Sequence, residues 1–244
     1  MPHDNKPALE ELHPSLWRAS QLARSTTRCV ESGHPVLAAQ LPGGGWPTGE
    51  LTELLVRQPG VGELRLLSPA MAAVASRGIM LVQPPHPPQA IAFAAMGMPP
   101  SQLTWVRPTK TADALWAAEQ ILKSNSVGCL LFWASHVRND SLRRLHLAAQ
   151  SSETLFFLLR PLQSAQDSSP APLRLSLEPA ADGIQIGFVK RRGPAREAPL
   201  FLPLTPPGTV KRRSAPGHLA PARAPAPAVI EEEARTWESY AESP

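Results

Sequence analysis

Residues Gln58 to Gly62 form a glycine-bearing loop between an apolar run, Leu51 to Val56, and a leucine- and alanine-rich segment that begins at Glu63. A loop set between a strand and a helix in this way can cradle phosphate, its backbone N–H groups meeting the anion at the helix N-terminus. The working form of the motif follows its last glycine with Lys, which reaches the outer phosphates, and with Ser or Thr, whose hydroxyl holds Mg²⁺. Here Gly60 and Gly62 are present, but Gly62 is followed by Glu63 and Leu64. At an effective dielectric near 20, one contact between unit charges at about 4 Å is worth roughly 4 kcal/mol. Replacing Lys by Glu reverses its sign toward a triphosphate, and Leu64 removes the metal-binding hydroxyl. A carboxylate in the first turn also suits the helix dipole, so Glu63 reads equally as the completion of a helix start. The spacing predicts a degenerate nucleotide site at Gly60, Gly62, Glu63 and Leu64.

The other chemistry-bearing residues are sparse. Lys190, Arg191 and Arg192 end an alternating apolar stretch. They read either as a solvated strand end or as a contact for phosphate, whether on a partner or on DNA; Lys211, Arg212 and Arg213 fit the DNA reading as well. His86 lies in a proline-rich loop, and His136 has Asp140 nearby. No G-x-S-x-G elbow supplies a nucleophile, so no catalytic residue is assigned. Cys29 and Cys129 are far apart, with neither a CxxC pair nor a zinc spacing, which argues for a reducing cytoplasm, no metal and no cofactor. Trp105, Trp116 and Phe132 read as core residues rather than as a base-stacking platform.

The elements that must position these residues follow from periodicity. Apolar runs at Leu51 to Val56, Ile79 to Val82, Val127 to Trp133 and from Thr154 onward predict buried parallel strands. "LTWVRP", between Met98 and Pro108, adds a short one. Helices are predicted at Glu63 to Ser76, Pro87 to Met96, Thr111 to Lys123 with Thr111 as N-cap, and Asn139 to Gln150. The alternation argues for a doubly wound, mainly parallel α/β sheet. "PLRLSLEP" and "GIQIGFVKRR" around "AADG" predict an antiparallel hairpin at its edge, with "APLFLPL" as a further strand. Arg24 to Pro35 carries no clear element. An amphipathic helix is predicted over Leu9 to Ala23, restarting after Pro14. The chain of 244 residues contains 29 prolines and carries a net charge of +4, with a pI near 9.5. The balance permits a nucleic-acid partner without requiring one. No apolar run is long enough to span a bilayer, and the polar, acidic start lacks the shape of a signal peptide. Residues 1–40 therefore read as a helix with a connecting segment, 41–204 as the folded core, and 205–244 as a Pro/Ala/Arg-rich disordered tail with an acidic end. Trp237 and Tyr240 in that end are candidates for docking on a partner, against the simpler reading of a solvated tail.

The order of these elements resembles the RecA recombinase core, and most closely the ImuA family of RecA-like proteins. "LPGGGWPTGELTELL" is similar to the family's approach to its first core strand, and "QPGVGELRLL" occupies the P-loop position. "SVGCLLFW" occupies the Walker B strand, and "IQIGFVKRRGPAREAPLFLPL" resembles the late basic-ended strand with its apolar successor. The resemblance covers roughly Leu41 to Leu204. It implies that Trp133 stands where an active ATPase has the metal-holding Asp. It also maps onto Lys190 and Arg192, with Arg191 between them, the role of reaching a neighbouring subunit's nucleotide. The implied function is that of a non-catalytic adaptor in the SOS response to DNA damage. It would serve error-prone translesion synthesis together with an ImuB-type Y-family-like protein, RecA and an error-prone polymerase subunit. The alternatives are a SulA-type inhibitor of cell division and a DNA-dependent ATPase, the latter opposed by the two broken motifs.

Overall fold

The computed structural model describes residues 28–193 and 196–204. All of these fall in the first of two units, Met1–Thr209 and Val210–Pro244. The N-terminal helix, the tail, and with it Trp237 and Tyr240, lie outside the described residues.

The four apolar runs become strands β3 (Leu51–Val56), β4 (Ile79–Val82), β6 (Cys129–Trp133) and β7 (Leu155–Pro161), and β5 (Leu103–Val106) joins them. With the hairpin β8 (Leu173–Ala180) and β9 (Gly183–Lys190), and with β10 (Leu200–Pro203), they form an eight-stranded sheet of order β10-β9-β8-β3-β7-β6-β4-β5. Strands β8, β3, β7, β6, β4 and β5 run parallel, while β9 is antiparallel to both β8 and β10. The fold is a mixed α/β fold of the doubly wound kind.

Successive side chains of a strand face opposite sides, so each buried strand feeds two cores. Leu54, Val56, Leu131 and Phe157 face helix α2 (Glu63–Val74), the short helix α1 (Pro35–Ala38) and α3 (Ala90–Ala95). Leu51, Leu130, Phe132, Phe156 and Leu158 face α4 (Thr111–Ser124) and α5 (Asn139–Gln150). Helix α2 tolerates Pro69 in its interior because Ser68 repairs the loss. Proline cannot donate to the Arg65 carbonyl, and Ser68 Oγ donates to that carbonyl instead, at 2.9 Å.

Several expectations are corrected. The stretch Arg24 to Pro35 contains a strand, β1 (Cys29–Glu31), paired antiparallel with β2 (Gly45–Pro47) in a separate two-stranded sheet. Leu37 just beyond it is fully buried and joins the core on the α2 side of the sheet. Thr111 is the first helical residue of α4; Lys110 holds the cap position and no side chain caps the helix. Helix α3 starts at Ala90, past the prolines. Of the three aromatic residues expected in the core, only Phe132 is buried. Trp105 lies on the edge strand with the Arg107 guanidinium 4.6 Å from its ring, and Trp116 is the more exposed of the two, on the outer side of α4.

Candidate functional site

The loop after β3 is closed by its own carboxylate. Gly60 N–H donates to Glu63 Oε1 at 2.8 Å, and Gly62 N–H donates to Glu63 Oε2 at 3.1 Å. Glu63 opens α2 and is buried. The N–H groups that would meet a phosphate therefore meet the first residue of the helix, whose charge also complements the helix dipole. Gly62 holds the cap position at φ 109°, and a Cβ there would come within 3.1 Å of Leu204 Cδ1. Leu64 packs against the core on the α2 side of the sheet.

Trp133 ends β6 two strands from β3, and it packs against the same core. The carboxyl ends of these strands open on one cavity of about 400 Å³, lined by Arg57 and Pro59 of the loop, Trp133 to His136, and Leu159 to Pro161. Crevices at the carboxyl ends of parallel strands are where open α/β sheets bind ligands. The indole N–H of Trp133 has no hydrogen-bond acceptor. A second cavity of about 450 Å³ shares Ser135, His136, Arg160 and Pro161 with the first and continues to Arg138, Ser164 and Asp167. His136 and Asp140 are exposed and are not hydrogen-bonded to each other, and His86 is exposed in its loop. Among the described residues no cluster of His, Cys, Asp or Glu can hold a metal ion. Cys29 Sγ donates to the Pro42 carbonyl at 3.7 Å, and burial drives the Cys129 thiol well above its ordinary range.

The basic strand end lies at the opposite end of the parallel strands. Strand β9 runs against β8 and hence against β3, so Lys190 stands near the amino ends of the parallel strands. All three basic residues make contacts within the chain. Lys190 Nζ donates to the Ser169 carbonyl at 2.9 Å, and Arg191 Nη1 to the Gln40 carbonyl at 2.7 Å. Arg192 pairs with Glu50, just before β3, at 2.7 Å. Arg191 also sits over the Phe188 ring, as does Arg196. The glycine loop and the basic triplet are thus separate sites on this chain.

A buried ionic cluster escaped the sequence reading. Glu53, fully buried on β3, accepts from Arg174 Nε of β8 at 2.6 Å, from Ser169 Oγ at 2.7 Å and from Arg160 Nη1 of β7 at 3.4 Å. Arg160 also reaches Asp167 at 3.1 Å. Arg174 donates to the carbonyls of Ser164, Ala165 and Asp167. It thereby supplies donors to the backbone carbonyls of the segment between β7 and β8. The signal was present in the sequence: Glu53, Arg160 and Arg174 each stand as a charge among apolar residues, and their strands are neighbours.

No protein-family model matches the chain, and no curated protein matches it significantly. Among the described residues no helix is long and apolar enough to cross a membrane.

Proposed function

We propose that the chain is a non-catalytic RecA-like adaptor of the ImuA type, acting in SOS-induced error-prone translesion synthesis by binding an ImuB-type protein and RecA. The observation that carries this reading is the carboxylate of Glu63 in the phosphate cradle. A site that already holds an anion on two of its N–H groups repels a triphosphate and has no Lys to attract one. Two further features support a RecA-like origin. The strand leading to the loop is central in the sheet, and the strand ending in Trp133 opens on the same cavity, an arrangement compatible with a RecA-like site that has lost its chemistry. ATP hydrolysis is not part of this function, and no catalytic residue is assigned.

Lys190, Arg191 and Arg192 are the proposed contact for a partner's phosphates, with Trp237 and Tyr240 as the proposed docking residues of the tail. Because Arg192 faces Glu50, reversing its charge would set two carboxylates together. The informative variant is Lys190→Ala with Arg192→Gln. The test measures binding of the full chain to RecA on short single-stranded DNA with a slowly hydrolysed ATP analogue, and separately to the ImuB-type protein. Binding to both, with the RecA arm weakened at least tenfold in the double variant, is the expected result. Binding to neither, together with capture of the tubulin-like division protein from damage-treated cells, would replace this reading by the SulA-type one.

A further inference from the structure

We propose that the apolar segment from Leu9 to Ala23 folds back on its own chain and covers the outer edge of the sheet, where helix α3 and strand β5 present an uncovered apolar surface. The inference does not rest on the adaptor reading. The segment lies outside the described residues, and the surface lies within them.

Two adjoining elements build the surface. Strand β5 is the last strand of the eight-stranded sheet and pairs only with β4. Its four residues, Leu103 to Val106, include neither a charge nor a proline, the residues that blunt a free edge. Helix α3, with the sequence AIAFAA, is apolar all round, and a helix of that kind is normally buried on every side. Here only Phe93 is buried, and Ile91 is 81% exposed. Leu103 packs on the same core as Phe93. Trp105, two residues further along the strand, therefore stands on the α3 side of the sheet, and it is 39% exposed.

Three observations assign this surface to the chain's own N-terminal segment. The first is pattern: Leu9, Leu12, Leu16, Ala19, Leu22 and Ala23 make a stripe at helical spacing that needs an apolar partner. The second is where the described chain begins. Arg28 pairs with Glu153, just before β7, and Glu153 also lies 4.0 Å from Arg77, just before β4. The chain thus enters at the amino-end rim of the sheet. From β7 to β5 is three strand spacings, about 14 Å. The five residue steps from Ala23 to Arg28 span up to about 17 Å, so the stripe can begin at the amino end of β5. The third is charge. Arg107 and Lys110, beyond the carboxyl end of β5, are exposed, and neither has a carboxylate partner among the described residues. A helix from Leu9 to Ala23 is about 22 Å long. Entering at the amino end of β5, it carries Glu10 and Glu11 of its first turn to those two cations while its stripe lies over Ile91 and Trp105. Such a cover shields the edge from strand pairing with other chains.

The experiment replaces Leu16 of the full chain by the photoreactive residue p-benzoylphenylalanine, irradiates the dilute protein and maps the adducts by mass spectrometry. Adducts within a single chain, centred on Ala90 to Arg107, are expected. The same replacement at Gln21, on the side of the helix away from the stripe, should give less than a third of that yield. Arg107→Glu with Lys110→Glu, both at exposed positions, should lower the Leu16 yield at least threefold, and adding Glu10→Lys with Glu11→Lys should restore it to within twofold. Adducts joining two chains would assign the surface to a second copy and overturn the proposal. Absence of adducts, adducts on Val189 or Phe201 at the other edge of the sheet, equal yields from Leu16 and Gln21, or a yield that the charge reversals leave unchanged would overturn it as well.

Discussion

At the scale of the residue, Glu63 and Glu53 are carboxylates with opposite histories in the sequence. Glu63 was legible because a glycine loop has a required successor and this chain breaks the requirement. What could not be read was the geometry, in which the carboxylate bonds backward to Gly60 and Gly62. Glu63→Ala leaves both N–H groups without that acceptor and should cost about 1–3 kcal/mol in chemical denaturation. Glu53→Gln leaves two buried guanidinium groups without their shared carboxylate and should cost more, about 3–5 kcal/mol. The pairing of Glu53, Arg160 and Arg174 is not legible in the sequence, because a lone charge in an apolar strand gains meaning only once its strand neighbours are known. His34 supplies a pH dependence. Burial holds its imidazole below the ordinary range, opposed by the pull of the Leu66 carbonyl, 3.1 Å from Nε2. The folded state thus favours the neutral ring, and the unfolded chain binds the extra proton first. Stability contributed by His34 is present above about pH 6.5 and is lost as the pH falls through that value toward the lower folded pKa. Melting temperatures followed between about pH 7.5 and 5.5 should decline less steeply in His34→Gln than in wild type.

At the scale of the element, strands buried on both faces were legible because they read as continuous apolar runs. Strand β3 keeps its expected bounds of Leu51 to Val56, and β4 those of Ile79 to Val82. Strand β1 was not legible: three residues, Cys29 to Glu31, are too few to show alternation, and their place is set by pairing with Gly45 to Pro47. The exposure of Trp105 and Trp116 was hidden for a related reason. Which strand becomes the sheet edge, and which side of a helix stays uncovered, are properties of the topology rather than of the segment. One close approach between elements is open to test. A Cβ on Gly128, just before β6, would come 2.2 Å from the Val74 carbonyl at the end of α2. Because that neighbour is backbone, Gly128→Ala should destabilise the domain by about 1–3 kcal/mol, read as a lower denaturation midpoint with an unchanged slope.

At the scale of the whole molecule, the sheet sends its two candidate surfaces to opposite strand ends: the glycine loop and its cavities to the carboxyl ends of the parallel strands, the basic triplet to their amino ends. The linear sequence, in which both are short loop-adjacent motifs, carries no record of that separation. The last described residues return to the carboxyl-end side. Leu204 is buried, its N–H donates to the Asp182 carbonyl at 3.0 Å, and its own carbonyl accepts from Arg65 of α2 at 3.4 Å. Truncation after residue 205 should therefore leave the melting temperature of the core within a few degrees of the full chain, whereas truncation before Leu200 should lower it sharply by removing β10. The glycine loop holds the Glu63 carboxylate where a nucleotide's phosphates would sit. Calorimetric titration of Mg²⁺-ATP into the full chain, with and without single-stranded DNA, tests it most directly. No saturable heat is predicted in either condition, while micromolar binding that Gly62→Trp abolishes would contradict the claim.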